Sequence, residues 1–507
     1  MSQELKSINL VAPAFKGINT EDSPLAQDPS FAEVADNAVI DKRGRIAARK
    51  GLSVTTTNKT VLGSGSIQVI KEFKDDAGNS VIFSAGNNKI ISGTTTLVDA
   101  TPGGYSISAN NWKIVNFNDH IYFFQRGVEP LIYDNTSGVV QAMSNHTHAT
   151  GVASTMYGNE VLAAYGRLWT ADFATDKSTI YWSDLLNGHA WSGGSTGSID
   201  ISKVWPDGYD EIVALSAHNN ALIVFGKHSI VVYSGAETPA SMALADTVAG
   251  VGCVDRDTVK HTGTDVLFLS QTGLRSFGRT IQEKSMPISS LSQNISKDII
   301  SLLSEANETF TSVYHPEENF YLLTFRNQDI TLCFDVRGTL ENGSYRVTRW
   351  PGTNFTAFER QDDGSLLIGG SHGIGTYSGN TDNTNSYRFK YFSPELTFGD
   401  PSRLKFLKKL RPTVVGGSGA SLFVKWAYEF ETVYNTAFLS LSTQGLAEYN
   451  VAEFNVGEFA IGEQTSRTAI NANGSGGTLS IGVESDIDGF ELSLQEINVL
   501  ALTGRTL

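Results

Sequence analysis

Short runs of apolar residues alternate with tight polar turns along most of this chain. In Val266–Phe277, VLFLSQTGLRSF, four apolar residues lead to a turn at Gln271–Gly273 and to a second run that ends on an aromatic residue. Short β-favouring runs bounded by turn residues predict strands, and two such runs joined by a short turn predict a hairpin. The segment therefore predicts one antiparallel hairpin.

The same hairpin pattern occurs seven times. The copies begin at Val81, Ile121, Val161, Leu222, Val266, Tyr321 and Leu366. All-β units that repeat about every 40–50 residues are typical of β-propeller blades. We therefore predict an all-β fold in which residues 64–380 form a β-propeller of six or seven blades. The aromatic residues that close several copies are expected to pack between blades, and helical spacing in Gln293–Asn307 predicts one inserted helix.

Residues 1–63 are predicted to form an N-terminal arm followed by a basic hairpin. Ser30 and Glu33 have the spacing of a capping box, which predicts a short helix after the extended arm. Asn37–Leu52, NAVIDKRGRIAARKGL, reads as a strand, a turn at Arg43–Gly44 and a second strand.

A polar linker at 379–386 separates the propeller from residues 387–507, where long β-type segments predict a second, sandwich-like all-β domain. Within it, residues 447–463 contain a five-residue repeat, AEYNV, AEFNV, GEFAI, which resembles pentapeptide-repeat coils. A glutamate occupies the second position of each unit and also follows Gly462. We predict that the glutamates form an acidic ridge, namely Glu448, Glu453, Glu458 and Glu463.

The hairpin of the N-terminal arm carries the densest basic cluster of the chain. It consists of Lys42, Arg43, Arg45, Arg49 and Lys50. These residues are interpreted either as solvated hairpin ends or as a surface that contacts DNA or an acidic neighbouring subunit. The net charge of the whole chain is −15. Because affinity for DNA comes mainly from neutralised phosphates, this charge argues against tight DNA binding but is compatible with DNA sliding past the protein.

Other features of the sequence limit the class of protein. No run approaches the roughly 18 apolar residues that span a membrane, and Met1–Leu10 has no secretory-signal pattern, so neither is expected. Cys253 and Cys333 are the only two cysteines. We expect both to be buried free thiols in a protein made in a reducing compartment.

Candidate catalytic and metal-binding motifs are few. Gly369–Gly373, GGSHG, matches the nucleophile-elbow pattern, but it falls on the predicted turn of the seventh hairpin rather than between a strand and a helix. His146 and His148 have no Cys, Asp or Glu close in sequence that would complete a metal site, so a polar loop is expected. Phosphate-binding, dinucleotide and zinc-protease motifs are missing from the sequence. We therefore predict no catalytic residue, no metal ligand and no cofactor.

Three segments together resemble a known family. They are Phe15–Ala26 with Asn37–Leu52, then Gly252–Arg279, and finally Phe392–Leu410. In this order they resemble the tail nozzle, tubular or packaged-DNA-stabilisation proteins of short-tailed bacteriophages (podoviruses). The matching positions in the first segment are Gly17, Ile18, Asn19, Thr20, Pro24, Asn37, Gly44, Arg49 and Gly51.

The resemblance implies a structural virion protein without enzymatic activity. Such proteins form a homohexameric ring below the portal and adaptor rings, and double-stranded DNA passes through the central channel during ejection. The implied partners are other copies of the chain, the adaptor or portal side of the tail, and tail fibres or a needle. The implied location is the virion tail, after synthesis in the host bacterial cytoplasm and without a membrane span.

Two other classes of function fit an all-β propeller. One is a glycan-binding or glycan-degrading propeller of the tail, which would need acidic residues in the central funnel. The other is a general intracellular propeller scaffold, which would not associate with virions. The family resemblance places the nozzle protein first.

Overall fold

The apolar runs of the predicted hairpins become buried strands, and all seven hairpins form in the computed structural model of the chain. The structure describes residues 4–11, 14–75, 77–107, 111–283, 290–417, 419–441 and 465–506. The predicted acidic ridge at 448–463 lies outside the described residues.

Seven antiparallel sheets, numbered here 1 to 7, follow one another around an axis in the described part of the chain. Sheets 1 and 2 contain Val69–Lys74, Ser80–Gly86, Lys89–Ser92 and Val98–Asp99, and then Lys113–Phe117, His120–Gln125, Val128–Asp134 and Val139–Ala142. Sheets 3 and 4 contain Glu160–Ala164, Arg167–Ala171, Thr179–Trp182 and Gly197–Asp200, and then Ile212–His218, Ala221–Gly226, Ile230–Ser234 and Ala243–Val248.

Six of the seven sheets are four-stranded blades, and sheet 5 has three strands. Sheet 5 contains Lys260–His261, Val266–Ser270 and Gly273–Ser276, and sheet 6 contains Phe310–His315, Phe320–Phe325, Ile330–Asp335 and Arg346–Pro351. Sheet 7 contains Ala357–Arg360, Leu366–Gly370, Gly373–Tyr377 and, from the N-terminal part of the chain, Leu52–Val54. The strand from the N-terminal part closes the propeller.

The first strands of neighbouring sheets touch one another and complete a ring. In sheet 5 the short 3₁₀ turn Arg256–Thr258 takes the inner position, between Ile212–His218 of sheet 4 and Phe310–His315 of sheet 6. Ala357–Arg360 of sheet 7 then contacts Val69–Lys74 of sheet 1. The predicted β-propeller is therefore confirmed.

Apolar clusters fill the spaces between neighbouring sheets. The predicted packing of strand-end aromatics between blades is confirmed at two junctions. The ring centroids of Phe83 in sheet 1 and Tyr133 in sheet 2 are 4.8 Å apart, and those of Phe225 in sheet 4 and Phe277 beside sheet 5 are 6.3 Å apart. Face-to-face burial of this kind is what stabilises hairpins that are marginal alone.

Strands from both ends of the chain form two further packed sheets. One contains Glu4–Leu10, Ala38–Ile40, Ile46–Ala48, Arg403–Gly416, Thr465–Arg467, Ile470–Asn471, Ser475–Gly476 and Leu492–Thr506. The other continues sheet 6 through Val34–Asp36, Tyr387–Phe392, Leu479–Ile487, Ser421–Tyr428 and Asn435–Ser440. One apolar cluster joins these strands to sheets 5 and 6, so the sandwich and the propeller share a core.

The described helices are few and short. The α-helices are Phe277–Glu283 and Ser296–Leu303, and the second of them confirms the helix predicted within Gln293–Asn307. The 3₁₀ turns are Thr60–Leu62, Met143–Asn145, Ser154–Met156, Pro239–Ser241, Arg256–Thr258, Gln293–Ile295 and Arg326–Gln328. None of the helices in the described residues is long and apolar enough to cross a membrane.

The short helix predicted after Ser30 is wrong. Instead, Val34–Asp36 forms a strand that pairs in antiparallel fashion with Tyr387–Phe392, and Asp36 also pairs with Arg349 of sheet 6. Cross-sheet partners more than 300 residues away satisfy the backbone here, and such tertiary pairing overrides a local capping signal.

Candidate functional sites: the basic hairpin and the axial cavity

The basic cluster lies on the hairpin formed by Ala38–Ile40 and Ile46–Ala48, as predicted. Asp41 organises the turn, because its carboxylate accepts hydrogen bonds from the backbone N–H groups of Arg43 (2.8 Å) and Arg45 (2.9 Å). The same carboxylate binds Nε of Arg45 at 2.6 Å, which holds that side chain against the turn. Lys42 and Arg43 are exposed at the tip.

Arg49 has a different role from the rest of the cluster. Its side chain is only 2% exposed, and its guanidinium binds Asp382 through two parallel hydrogen bonds of 2.6 and 2.9 Å. Nε donates to Asn37 Oδ1 at 3.0 Å, and the guanidinium carbon lies 4.2 Å from the ring centroid of Tyr387. The structure therefore corrects the predicted contact role of Arg49, because its charge is satisfied inside the protein.

A cleft of about 460 Å³ lies beside the hairpin. The cleft is lined by Lys42, Arg43, Arg45 and Lys50 and also by the acidic Asp41, Glu318 and Glu491, and the ammonium of Lys50 pairs with Glu318. Exposed lysine and arginine side chains at a protein surface suit an acidic partner, because such contacts steer association more than they add affinity. Lys42 and Arg43 are the members of the predicted set that are placed best for that contact.

The positions that carry the family resemblance in the arm have structural roles. Gly17 has φ of +91°, and a Cβ there would lie 2.6 Å from the backbone nitrogen of Val347. Asn19 accepts hydrogen bonds from the backbone N–H groups of Glu21 and Asp22, and Thr20 donates to Asp298 at 2.8 Å. The arm is thus fixed between sheet 6 and the helix Ser296–Leu303.

A second candidate site is a cavity of about 330 Å³ at the axis of the propeller. Arg256, which is buried, crosses it from sheet 5. Its Nη1 donates to Asn159 Oδ1 at 3.0 Å beside sheet 3, and its Nη2 donates to the carbonyl of Asn111 beside sheet 2. One arginine therefore ties three sheets together across the axis.

The groups around Arg256 form a charged network. Lys113 Nζ lies 3.5 Å from Glu160 and 3.9 Å from Asp257, and Arg256 Nε lies 3.7 Å from Asp257. Opposite charges inside a poorly solvated cavity attract strongly, which compensates part of the cost of removing them from water.

Burial shifts the pKa values of several groups in this network. It raises the pKa of Asp255 to about 6, an effect that the neighbouring Asp257 increases, and it lowers the pKa of Lys260 to about 8. Burial also acts to raise the pKa of Asp257, but Arg256 and Lys113 outweigh it, so that this pKa is lowered. Two adjacent acids with pKa values pushed apart are a feature of acid–base sites.

The geometry of these acids limits what they can do. Asp255 directly precedes the single turn Arg256–Thr258 and Asp257 lies within it, and the carboxylate of Asp255 accepts the backbone N–H of Asp257 at 2.7 Å. Glycoside hydrolysis requires two carboxyl groups on opposite sides of the substrate. The two acids of this turn therefore lie on one wall of the cavity, and Asp172 and Glu211, beside sheets 3 and 4, line other parts of it.

The GGSHG motif and the two cysteines have the structural settings that were predicted from the sequence. Ser371 and His372 of GGSHG occupy the turn between Leu366–Gly370 and Gly373–Tyr377, as predicted. Cys253 and Cys333 are both free and buried, which confirms the expected thiol state. Burial raises the pKa of Cys253 to about 12, so its reactive thiolate form is scarce at neutral pH.

Sequence reasoning did not single out the axial residues Glu160, Asp255, Arg256 and Asp257. The available signal was CVDRD (253–257), where an arginine between two aspartates follows an apolar stretch within the second resembling segment. Three adjacent charged residues normally indicate a solvated loop. Asp255, Arg256 and Asp257 lie at the axis because the sheets close into a ring around them.

Comparisons with known proteins add no family assignment. No protein-family model and no curated protein matches the chain. Among solved structures, an extracellular domain described as part of a one-component system of B. thetaiotaomicron is 12% identical with a TM-score of 0.41, and the match covers 86% of this chain and 62% of that domain.

Two other solved structures are similarly distant. The WD40 domain of Neurospora crassa Pan2 is 10% identical with a TM-score of 0.36, over 65% of this chain and 94% of that domain. The computationally designed Ika8 protein is 9% identical with a TM-score of 0.35, over 65% of this chain and all of the designed protein. The propeller assignment therefore rests on the strand pairing described above.

Proposed function

We propose that this chain is a structural virion protein of a short phage tail. In this proposal, six copies form the nozzle ring below the portal and adaptor, and the ring lines the DNA exit channel and retains the genome. The propeller acts as a rigid scaffold, and the arm and sandwich carry the contacts to neighbouring tail parts. The protein is not an enzyme in this proposal.

The observation that carries the proposal is how the resembling segments are arranged. Strand Val34–Asp36, between the two halves of the first segment, pairs with Tyr387–Phe392, whose last residue begins the third segment. Asn37 also donates to the carbonyl of Arg388 at 2.8 Å. The strands next to the first and third segments thus form one junction, and side chains of both segments enter the same apolar cluster. This is expected if the resemblance reflects a shared architecture.

Charge supports the proposal as well. The chain has a net charge of −15, so DNA phosphates are repelled by most of its surface. Such a surface allows DNA to move through a channel without adhering. The exposed basic tip at Lys42 and Arg43 then offers a localised contact for an acidic neighbour.

Cryo-electron microscopy of virions from a phage that encodes this chain tests the proposal directly. We expect density for the propeller and sandwich in a six-fold ring at the distal end of the adaptor. A tail reconstruction whose rings are fully accounted for by other chains would falsify the proposal.

The double substitution Lys42→Glu with Arg43→Glu is expected to reduce infectious yield by at least about tenfold, because two attractive contacts with an acidic neighbour become repulsive. The measurement is plaque titre per purified particle after complementation with the variant gene. The matched control is Lys74→Glu with Lys203→Glu, which changes the net charge equally at two exposed positions of the propeller and is expected to keep the wild-type titre. If both variants keep the wild-type titre, the hairpin is not part of the assembly surface.

A glycan-binding or glycan-degrading propeller is the second candidate function, favoured by the raised pKa of Asp255 in the axial cavity. It predicts that the purified chain binds or cleaves host surface polysaccharide and that Asp255→Asn abolishes this activity. If the native chain neither shortens the polysaccharide nor binds to a glycan array, the structural role alone is supported.

A further inference from the structure

Three histidines converge between sheets 2 and 3. His120 begins the second strand of sheet 2, His146 follows the 3₁₀ turn Met143–Asn145, and His189 lies in the loop between the last two strands of sheet 3. One ring nitrogen of each histidine lies within 4.8 Å of those of the other two. The sequence predicted a polar loop around His146 and His148. Of these two histidines, His148 is exposed and His146 is partly buried.

A carboxylate stands beside the three rings. Asp134 Oδ1 lies 3.7 Å from His120 Nε2, and Asp134 Oδ2 lies 3.9 Å from His146 Nε2. The carboxylate of Asp134 therefore adjoins two of the three imidazoles.

Hydrogen bonds outside the cluster orient two of the rings. His120 Nδ1 lies 2.7 Å from the carbonyl oxygen of Asn118, and because a carbonyl only accepts, Nδ1 is the donor and Nε2 is the nitrogen that faces the cluster. His189 Nδ1 lies 3.3 Å from the hydroxyl of Tyr122. Metal-binding histidines characteristically use their second nitrogen in this way, which fixes tautomer and orientation.

The loop that carries His189 is held closely against sheet 2. A Cβ at Gly188 would lie 2.7 Å from the ring of Tyr122, so only glycine allows this approach. The indole N–H of Trp191 donates to the carbonyl of Gly188 at 3.1 Å, and the backbone N–H of His189 donates to Asn187 Oδ1 at 3.2 Å. The position of His189 is thus built into the fold.

We propose that His120, His146 and His189, with Asp134, bind one divalent transition-metal ion of the zinc type that clamps sheet 2 to sheet 3. Imidazole and carboxylate donors in a set of four suit tetrahedral zinc, whereas calcium and magnesium prefer oxygen ligands alone. With Zn–N bonds of about 2.0–2.1 Å, nitrogens in a tetrahedral site are about 3.4 Å apart. The ring nitrogens lie up to 4.8 Å apart, so metal binding would draw the three rings closer together.

The full chain, purified without a histidine tag and stripped with a chelator, is titrated with ZnCl₂ by calorimetry. We expect one equivalent to bind per chain and the thermal unfolding temperature to rise with zinc concentration, because a ligand that binds only the folded state stabilises it. His146→Gln is expected to weaken binding by at least about 10–100-fold, since even outer-shell partners have effects of that size. His120→Gln is a second ligand variant with the same expected loss.

The controls are other histidines of the chain. His148→Gln changes the exposed neighbour, whose ring lies 6.0 Å from that of His146, and His218→Gln breaks a separate two-histidine contact with His261. Both are expected to keep the one-equivalent site and its affinity. The proposal is overturned if the wild-type chain binds no zinc, or if His146→Gln and His120→Gln variants with wild-type unfolding temperatures in chelator bind it as tightly as the wild type.

Discussion

Replacing Arg49 with methionine is expected to lower the free energy of unfolding by about 3 kcal/mol, because it leaves Asp382 without its partner at the junction of propeller and sandwich. The guanidinium makes two hydrogen bonds to Asp382 and one to Asn37, and it stacks on Tyr387. Removing one partner of a buried pair typically costs about 3–5 kcal/mol, and the lower value applies because Asp382 is 30% exposed. Urea denaturation measures the change.

The double variant Arg49→Met with Asp382→Asn separates the cost of an unpaired charge from the cost of lost packing. We expect the double variant to be more stable, by about 2 kcal/mol, than the sum of the two single effects implies. The reason is that no unpaired charge remains once both members of the pair are replaced. Lys408→Met, at an exposed strand position, is expected to stay within about 0.5 kcal/mol of the wild type. An Arg49→Met variant as stable as Lys408→Met would show that the pair contributes little.

The propeller was predictable from the sequence because its information is local. Each hairpin, such as Val266–Ser270 with Gly273–Ser276, is encoded within a dozen residues by alternating apolar positions and turn residues. Seven copies of one local pattern then leave few alternatives to a ring of blades. The helix Ser296–Leu303 was predictable for the same reason, since its apolar spacing is also local.

The features that sequence reasoning missed depend on partners far along the chain. Arg49 looked like one more basic hairpin residue, because Asp382, which neutralises it, lies 333 positions away. His146 and His189 face each other across 43 positions (189 − 146), with ring centroids 4.1 Å apart, and no spacing rule links them. Long-range contacts of this kind are fixed by the fold, so they are visible only after the sheets are placed.

The division into an arm of residues 1–63 and a propeller of residues 64–380 stays a prediction, and the strand pairing gives it a sharp test. Leu52–Val54 is the fourth strand of sheet 7, and Val34–Asp36 lies inside the sheet that joins sheet 6 to the sandwich. If the arm were an appendage, the rest of the chain would fold without it. The pairing indicates the opposite.

Deleting residues 1–63 is therefore expected to abolish cooperative folding and produce insoluble protein. The deletion exposes the unpaired edges of Gly373–Tyr377 and Tyr387–Phe392, which favour aggregation. It also removes large apolar side chains that contribute about 1.5–3 kcal/mol each, a sum comparable with the whole folding margin of about 5–15 kcal/mol. These buried side chains are Leu10, Val11, Phe15, Ile18, Ile40, Ile46, Leu52 and Leu62.

Solubility, circular dichroism and thermal unfolding of the deletion variant measure this effect. A variant that lacks only residues 1–3 keeps every described strand and is expected to unfold like the full chain. Refolding the deletion variant with a separate chain of residues 1–63 should restore a cooperative transition, because strand pairing needs contact rather than covalent connection. A soluble deletion variant with the wild-type unfolding temperature would establish the arm as a removable appendage and leave sheet 7 stable with three strands.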